Sequence, residues 1–495
     1  MTHPLAATLI SDPRTLASGQ LDCLVIGSGT TGVTSAIELA ARGLRVGIIE
    51  AGPLLLTEHV GSGPFANRED LVPKIHAAAR YGTSWITSDQ QPAADAGPLP
   101  ENNSAWSAVG GRTLFWGGCT PRFRDEDFAA WPYDADEVAP WYQRAEDLIG
   151  VSGSPGGARP PFMSHGAQDR LMGRLSMAGI AATHVPLGVD TARMHDGRMS
   201  RGFDSSVSRL LRDKRFGRAE DGATLSLAAQ TEAVRLNTCS GQITSVTVRD
   251  HANNATFDIP ARHVVLAGGC VQSVRLAMVS ALDRDDPLIG RYIGDHLFRQ
   301  AVFRLPESIG EKSLYIFIPP AADRPYHVQL QGMFRETWYS PLHATVWLDG
   351  DADGRYLLYY CFGISTAQRE AHLRTRGETL RDYYVVHDRS ESDLKTLAGM
   401  AEFTRDVAAS LGAELIRTEE NGPGAALHEF GGLRMGSDPA TSVTDPNGCF
   451  WRVKNLSCID AAIWPHQGSA NSYLTLTAIA LRNATKLADR LMAQR

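Results

Sequence analysis

The 495-residue sequence contains no run of eighteen apolar residues, so no part of it reads as a membrane-spanning helix. It has no excess of positive charge. The net charge is -7 and no long Lys/Arg tract offers a local exception, which argues against a nucleic-acid partner. Cysteines occur only at positions 23, 119, 239, 270, 361, 449 and 458, never in a CxxC pair, so neither a disulfide framework nor a thiolate metal site is expected. They read instead as small buried apolar residues. The histidines include no HExxH and no compact His/Asp/Glu cluster, so no metal is expected either. The first twenty residues, with Asp12, Pro13 and Arg14, lack a basic start and an apolar core; no export signal is read there, and the expected location is cytoplasmic. What remains is the composition of an ordinary soluble globular chain, long enough for about two to four domains.

Within that composition, one stretch is densely patterned. Leu24, Val25 and Ile26 form a short apolar run suited to a strand buried on both faces, and Gly27-x-Gly29-x-x-Gly32 follows at once. Gly27 permits a tight turn, Gly29 lets backbone amides approach a pyrophosphate, and Gly32 lets a helix over positions 31–42 pack close to the strand. Gly43 ends that helix, and Arg45 to Ile49 reads as a second parallel strand. It runs into Glu50, whose carboxylate can accept hydrogen bonds from an adenosine ribose. Strand, turn, helix and acid together point to dinucleotide binding; they do not separate FAD from NAD.

Further along, a helix is expected near 69–81 and an irregular polar stretch over 89–104. Positions 109–123 bring Gly110, Gly111, Gly117 and Gly118 around Phe115 and Trp116, a backbone approaching something flat or crowded. Asp134 to Gly150 reads as a capped helix and 152–161 as a Gly/Pro-rich loop. Strand-like runs follow at 224–227, 233–236 and 243–249. His263 to Gly269 is then a buried strand entering a glycine turn, with a helix over 273–282. Runs at 301–305, 314–318, 326–334, 343–348 and 356–362 are spaced like an antiparallel sheet, and 391–411 is helical. His327, Gln329 and Gln331 share one face of their strand, which either lines a cavity or is simply wet. The fold class expected is α/β, α+β overall: a Rossmann-like nucleotide domain, discontinuous in sequence, with an antiparallel-sheet substrate domain.

Gly27 to Glu50, Gly110 to Gly118, Gly290-Arg-Tyr-Ile-Gly-Asp295-His296 and the terminal 428–482 together resemble the glucose-methanol-choline (GMC) family of FAD oxidoreductases. In the last segment His428 to Gly436, the Asp460-Ala461 pair and Pro465-x-x-x-x-Ala-Asn471-x-x-Leu-Thr475 carry the resemblance. Within the family, Trp116 to Phe123 is most similar to the pyranose oxidases and the bacterial C-glycoside 3-oxidases. The resemblance implies FAD, held noncovalently because Phe115 stands where a flavin-linking histidine is found in fungal pyranose oxidases. It assigns to the cofactor Gly27, Gly29, Thr30, Thr31, Gly32, Glu50 and Ala51. From the middle of the chain it adds Gly110, Gly111, Thr113, Trp116, Gly117, Gly118, Cys119, Ala233 near adenine, and Gly268. Asp460, Ala461, Ser472 and Tyr473 complete the set. It implies an FAD domain at 15–130, 200–298 and 426–495, and a substrate domain at 131–199 and 299–425.

Alcohol oxidation needs a base for the hydroxyl proton and an acceptor for the hydride. By the resemblance His428 is the base and Asn471 donates a hydrogen bond to the developing alkoxide. Thr120, Gln329, Gln331 and His466 are the candidate substrate contacts, His466 either reaching the site or ending a loop. A helix from Ser472, with Asn471 or Ser472 as N-cap, would aim its dipole at the flavin pyrimidine. The expected reaction is oxidation of a secondary ring hydroxyl, C3 or C2, of a pyranose sugar or glycoside. The electrons would pass to O2, giving H2O2, or to a quinone-type acceptor. The alternatives are a non-sugar alcohol as substrate and a noncatalytic flavin-binding protein.

Overall fold

The structure is a computed structural model that describes residues 5–494 except 58–73, 76, 93–98, 100, 163, 192–193, 196–197, 200–201, 310–313 and 333–353. The strand expected at 343–348 lies outside the described residues, as do 69–73 and 76 of the helix expected at 69–81; its positions 74–75 and 77–79 are helical. Its end is a strand instead: Arg80–Thr83 pairs antiparallel with Asn103–Trp106.

A five-stranded parallel sheet holds the nucleotide fingerprint. Its order is Leu456–Cys458, His263–Leu266, Cys23–Ile26, Val46–Ile49 and Leu225–Ala228. All four residues of Cys23–Ile26, of Val46–Ile49 and of His263–Leu266 are buried, as strands covered on both faces require. Parallel strands end at a common edge. Gly27, Glu50, the Ala267-Gly268-Gly269 turn and Asp460, far apart in sequence, therefore gather along one rim. The helix Thr30–Ala41 leaves the first turn and packs against the terminal helix Tyr473–Ala493.

A three-stranded antiparallel sheet, Thr231–Cys239, Gln242–Asp250 and Ala255–Ile259, follows the fifth strand. The six-stranded sheet has the order Glu414–Glu420, Leu297–Arg304, Tyr356–Gly363, Tyr326–Gly332, Tyr315–Ile318 and Thr183–His184, antiparallel throughout. One face is covered by the helix Glu391–Ser410, which starts with a reciprocal cap: Ser390 Oγ accepts from Asp393 N–H and the Asp393 carboxylate from Ser390 N–H. The expected helix at 134–150 is found as Ala135–Ile149, capped by the Asp134 carboxylate and closed by Gly150 at φ +77°.

Between Asp460 and Asn471 the chain has little regular structure, yet it is pinned. Trp464 is buried against Phe123 and Trp131, with ring centroids 5.6 and 5.3 Å away. This aromatic packing sets where the loop 465–471 runs.

Candidate active site

Gly27 has φ +106°, and a Cβ there would lie 2.4 Å from the Ala267 carbonyl oxygen. The turn can close beside the neighbouring strand only without a side chain. Glu50 braces it: one carboxylate oxygen accepts from Ser28 N–H (3.1 Å) and Oγ–H (2.7 Å), the other from Gly52 N–H (3.0 Å). Burial pushes its carboxyl up, and these donors pull it back. Ser28 Oγ in turn accepts from Gly110 N–H at 3.0 Å, so the glycine-rich loop is tied to the fingerprint. Sequence reading missed Ser28, which occupies an unconstrained position of the motif.

It also missed a buried ion pair, Asp204 with Arg209. Arg209 donates to Thr30 Oγ1 and Thr34 Oγ1, and the Asp204 carbonyl accepts from Trp116 Nε1–H at 2.9 Å. The Tyr473 hydroxyl donates to the Asp204 carboxylate, and its ring stacks on Trp116 at 3.7 Å. Two opposite charges five residues apart near an apolar helix were the only sequence signal.

Asp295 organises the segment that carries His428. Its carboxylate accepts from four backbone N–H groups: His296 (2.8 Å), Ala426 (2.9 Å), Leu427 (3.1 Å) and His428 (2.8 Å). Arg112 adds a bidentate pair to Glu429, at 2.7 and 2.6 Å, and donates to the Leu427 carbonyl. The His428 ring then meets His296, Nδ1 to Nδ1 at 3.2 Å, while His296 Nε2 lies 3.2 Å from the Gly468 carbonyl. A carbonyl only accepts, so His296 carries its proton on Nε2 and offers the Nδ1 lone pair to His428 Nδ1–H. His428 Nε2 is left bare. Burial, with His327 and Arg112 adding to it, lowers the His428 pKa to about 3, so the ring is neutral.

Asn471 lies opposite, its Oδ1 accepting from Gln329 Nε2 at 2.7 Å. His327, Gln329 and Gln331 are all buried, at 0, 3 and 1% exposure, so their shared face is not a wet one.

A cavity of about 450 Å³ joins these parts. At the nucleotide end it is lined by Gly27, Gly29, Thr30, Thr31, Glu50 and Ala51, with Ala233 and Gly268 beside them. Gly111, Thr113, Trp116, Gly117 and Cys119 form one wall, and Asp460, Ala461, Ser472 and Tyr473 another. His428, Asn471, Gln329 and Gln331 line the far end, with Phe298, Tyr360 and Phe362. Gly32, Gly110, Gly118, Thr120 and His466 do not line it. A Cβ on Gly32 would meet the Gly27 carbonyl at 2.0 Å, and one on Gly118 the Phe203 ring at 2.1 Å, so these two are packing positions. Thr120 is fully buried, its N–H given to the Pro186 carbonyl. His466 Nδ1 accepts from Gly468 N–H, the loop-ending arrangement of the two expected for it. The terminal helix starts after Ser472 without a side-chain cap, contrary to expectation, and Ser472 and Tyr473 face the cavity there.

The residues fit a dinucleotide. A Cβ on Gly29 would meet nothing within 4 Å, so open space lies at the helix start where a pyrophosphate belongs. Glu50 and the His428/Asn471 pair line the same cavity, so one bound dinucleotide could reach both.

Comparison with known proteins agrees. Family models described as GMC oxidoreductase match residues 21–298 and 369–480. Paromamine 6'-oxidase of Streptomyces fradiae is 27% identical over 96% of this chain and 92% of its own length. C-glycoside 3-oxidase of Microbacterium trichothecenolyticum is 24% identical over 96% and 98%. Among solved structures, formate oxidase of Aspergillus oryzae RIB40 superposes with a TM-score of 0.71 at 14% identity, covering 96% of this chain and 99% of that one. That likeness concerns the fold.

Proposed function

This chain belongs to the GMC oxidoreductase family, and we propose that within it the substrate is a pyranose sugar or glycoside oxidised at a secondary ring hydroxyl, C3 or C2, to the ketone. It is an FAD-dependent oxidoreductase acting on CH–OH groups. The observation that carries the substrate reading is the far end of the cavity, where a bare imidazole nitrogen and an amide meet a wall that is part aromatic and part amide. Phe298 stacks on Phe362 at 4.8 Å and on Tyr360 at 6.0 Å, and all three line the cavity, an aromatic lining suited to the C–H groups of a sugar ring. Gln331 beside it offers an amide to ring hydroxyls. The relatives named for paromamine and C-glycoside oxidation support a sugar alcohol in general.

Bound FAD supplies the hydride acceptor. His428 Nε2 takes the hydroxyl proton, and its depressed pKa keeps it deprotonated throughout the physiological range. Asn471 donates to the oxygen as negative charge develops there. The Trp116–Tyr473 stack and the helix start without a side-chain cap face the cofactor side. The cofactor is noncovalent in this reading, Phe115 having no atom that could form the link. The two-domain division, with 131–199 and 299–425 as the substrate part, belongs to the same proposal. Oxidation releases two electrons and two protons per hydroxyl, taken up by O2 to give H2O2 or by a quinone-type acceptor.

The test is anaerobic flavin bleaching by glucose, xylose, several O- and C-glycosides, cholesterol and benzyl alcohol. A sugar or glycoside is expected to bleach the flavin. His428→Ala should retain FAD and slow that bleaching by about 10²–10⁴-fold. Bleaching by the apolar alcohols alone would overturn the sugar reading.

A further inference from the structure

Two successive carbonyls before Asn471 sort the donors and acceptors of the site. Gly468 sets His296 as described; Ser469 sets His327. We infer that His327 and Gln329 are positioning residues that fix the polarity of the Asn471 amide, turning its NH2 toward the cavity and making it a donor to the substrate oxygen. This rests on the reading of Asn471 as the residue facing that oxygen, and it replaces the expectation that Gln329 is itself a substrate contact.

The Ser469 carbonyl is 2.8 Å from His327 Nδ1 and can only accept, so Nδ1 carries the proton. His327 is fully buried, and that burial lowers its pKa to about 4, so the ring is neutral and Nε2 bare. The end of the Gln329 amide 3.1 Å from Nε2 must then be NH2. Its other end, Oε1, accepts from the Tyr315 hydroxyl. The second N–H of Gln329 points 2.7 Å to Asn471, where only an oxygen can receive it. Asn471 Nδ2 is thereby left on the side away from Gln329; in the side-chain hydrogen bond between Asn471 and His327 the bare Nε2 can only accept from that NH2, which leaves its second N–H for the cavity. Reversed, the amide would set an oxygen lone pair against a developing alkoxide.

All four links come from the strands Tyr315–Ile318 and Tyr326–Gly332 and the loop before the terminal helix, in the register Phe317 to Gln329. The titratable groups around position 329 are His327 and Tyr315, with Cys119 hydrogen-bonded to Tyr315, Arg324 acting on His327 at longer range, His428 coupled electrostatically to His327, and His296 6.5 Å from the His327 ring.

Gln329→Glu in the FAD-loaded protein tests the assignment. An ionised glutamate cannot donate to Asn471 or His327, so Asn471 turns over; a protonated one donates to Asn471 and accepts from Tyr315, restoring the original polarity. At pH 8 the variant should reduce flavin about 10²–10³-fold more slowly than the original protein with the same sugar, at little-changed KM. The variant-to-original ratio should recover as pH falls to 5. A ratio flat with pH, or a rise in KM with kcat intact, would overturn the inference and return Gln329 to substrate binding. Nitrogen-15 NMR of histidine-labelled FAD-loaded protein, with His327 assigned by its loss in His327→Gln, reads the tautomer without substrate. Protonated Nδ1 with bare Nε2 is expected; protonated Nε2 would overturn the inference. If no sugar bleaches the original flavin, the sugar reading alone fails and the tautomer still decides this one.

Discussion

At the scale of single residues, the site depends on groups that hold its side chains in one state. Asp295 is the clearest case, since four backbone N–H groups converge on it and one belongs to His428. Burial and the nearby Glu429 push its carboxyl up to about 7, while the N–H groups and Arg112 pull it down. In Asp295→Asn an amide NH2 would face at least one of those N–H groups. The variant should lose about 1–3 kcal/mol in denaturant unfolding of the FAD-loaded protein and at least about tenfold in flavin reduction. Unchanged reduction would show that the 426–428 segment holds His428 without it. Asp295 and His296 stand in a segment that carried the family resemblance, yet neither was a candidate site residue. Their partners lie some 130 positions later, beyond any local pattern.

At the scale of elements, local chemistry was legible and remote pairing was not. The strand, turn and helix over 23–41 and the helix Ala135–Ile149 follow from residues a few positions apart, so the sequence displays them directly. The strand Glu414–Glu420 is mostly exposed and exists as a strand because it pairs with the edge of Leu297–Arg304, where Arg299 meets Glu420. Nothing in ELIRTEE announces that partner. The same split explains the glycines of the fingerprint. Gly32→Ala places a Cβ 2.0 Å from a backbone oxygen, so the helix must move. A loss of about 3 kcal/mol or more and poor FAD retention are expected. Gly29→Ala meets no protein atom and Gly29 has an ordinary φ of -67°, so that variant should fold within about 0.5 kcal/mol of the original. Its FAD affinity should nevertheless fall, because the methyl enters the space beside the helix start. Urea unfolding and FAD titration of the two variants separate these effects, and equal losses of stability would contradict the geometry.

At the scale of the whole molecule, burial of uncharged imidazoles makes the fold sensitive to acid. His263 lies in the parallel sheet, bonded to Ser457 Oγ at 2.8 Å, and burial lowers its pKa to about 3. An unfolded histidine titrates near 6.5, so between those values the unfolded chain binds a proton that the folded one does not. Stability contributed by the neutral ring is therefore present at pH 7 and lost as pH falls below about 6.5. Compared with His263→Gln, the original protein should lose about 1.4 kcal/mol more per pH unit between pH 6 and 4. Parallel slopes would mean that His263 protonates in the folded state without cost. Among the described residues no helix is long and apolar enough to cross a membrane.

The sequence by itself determined the nucleotide turn, the succession of most strands and helices, the family, and the identity of His428 and Asn471 as the residues of interest. Each is written in a local pattern or in a motif. Only the tertiary structure decided that Thr120 and His466 are not among the residues lining the cavity and that the His327 face is buried. It alone assigned which nitrogen of His428 is bare. Those are properties of contacts between segments more than a hundred residues apart, and a hydrogen-bond donor acquires its direction from what it is packed against.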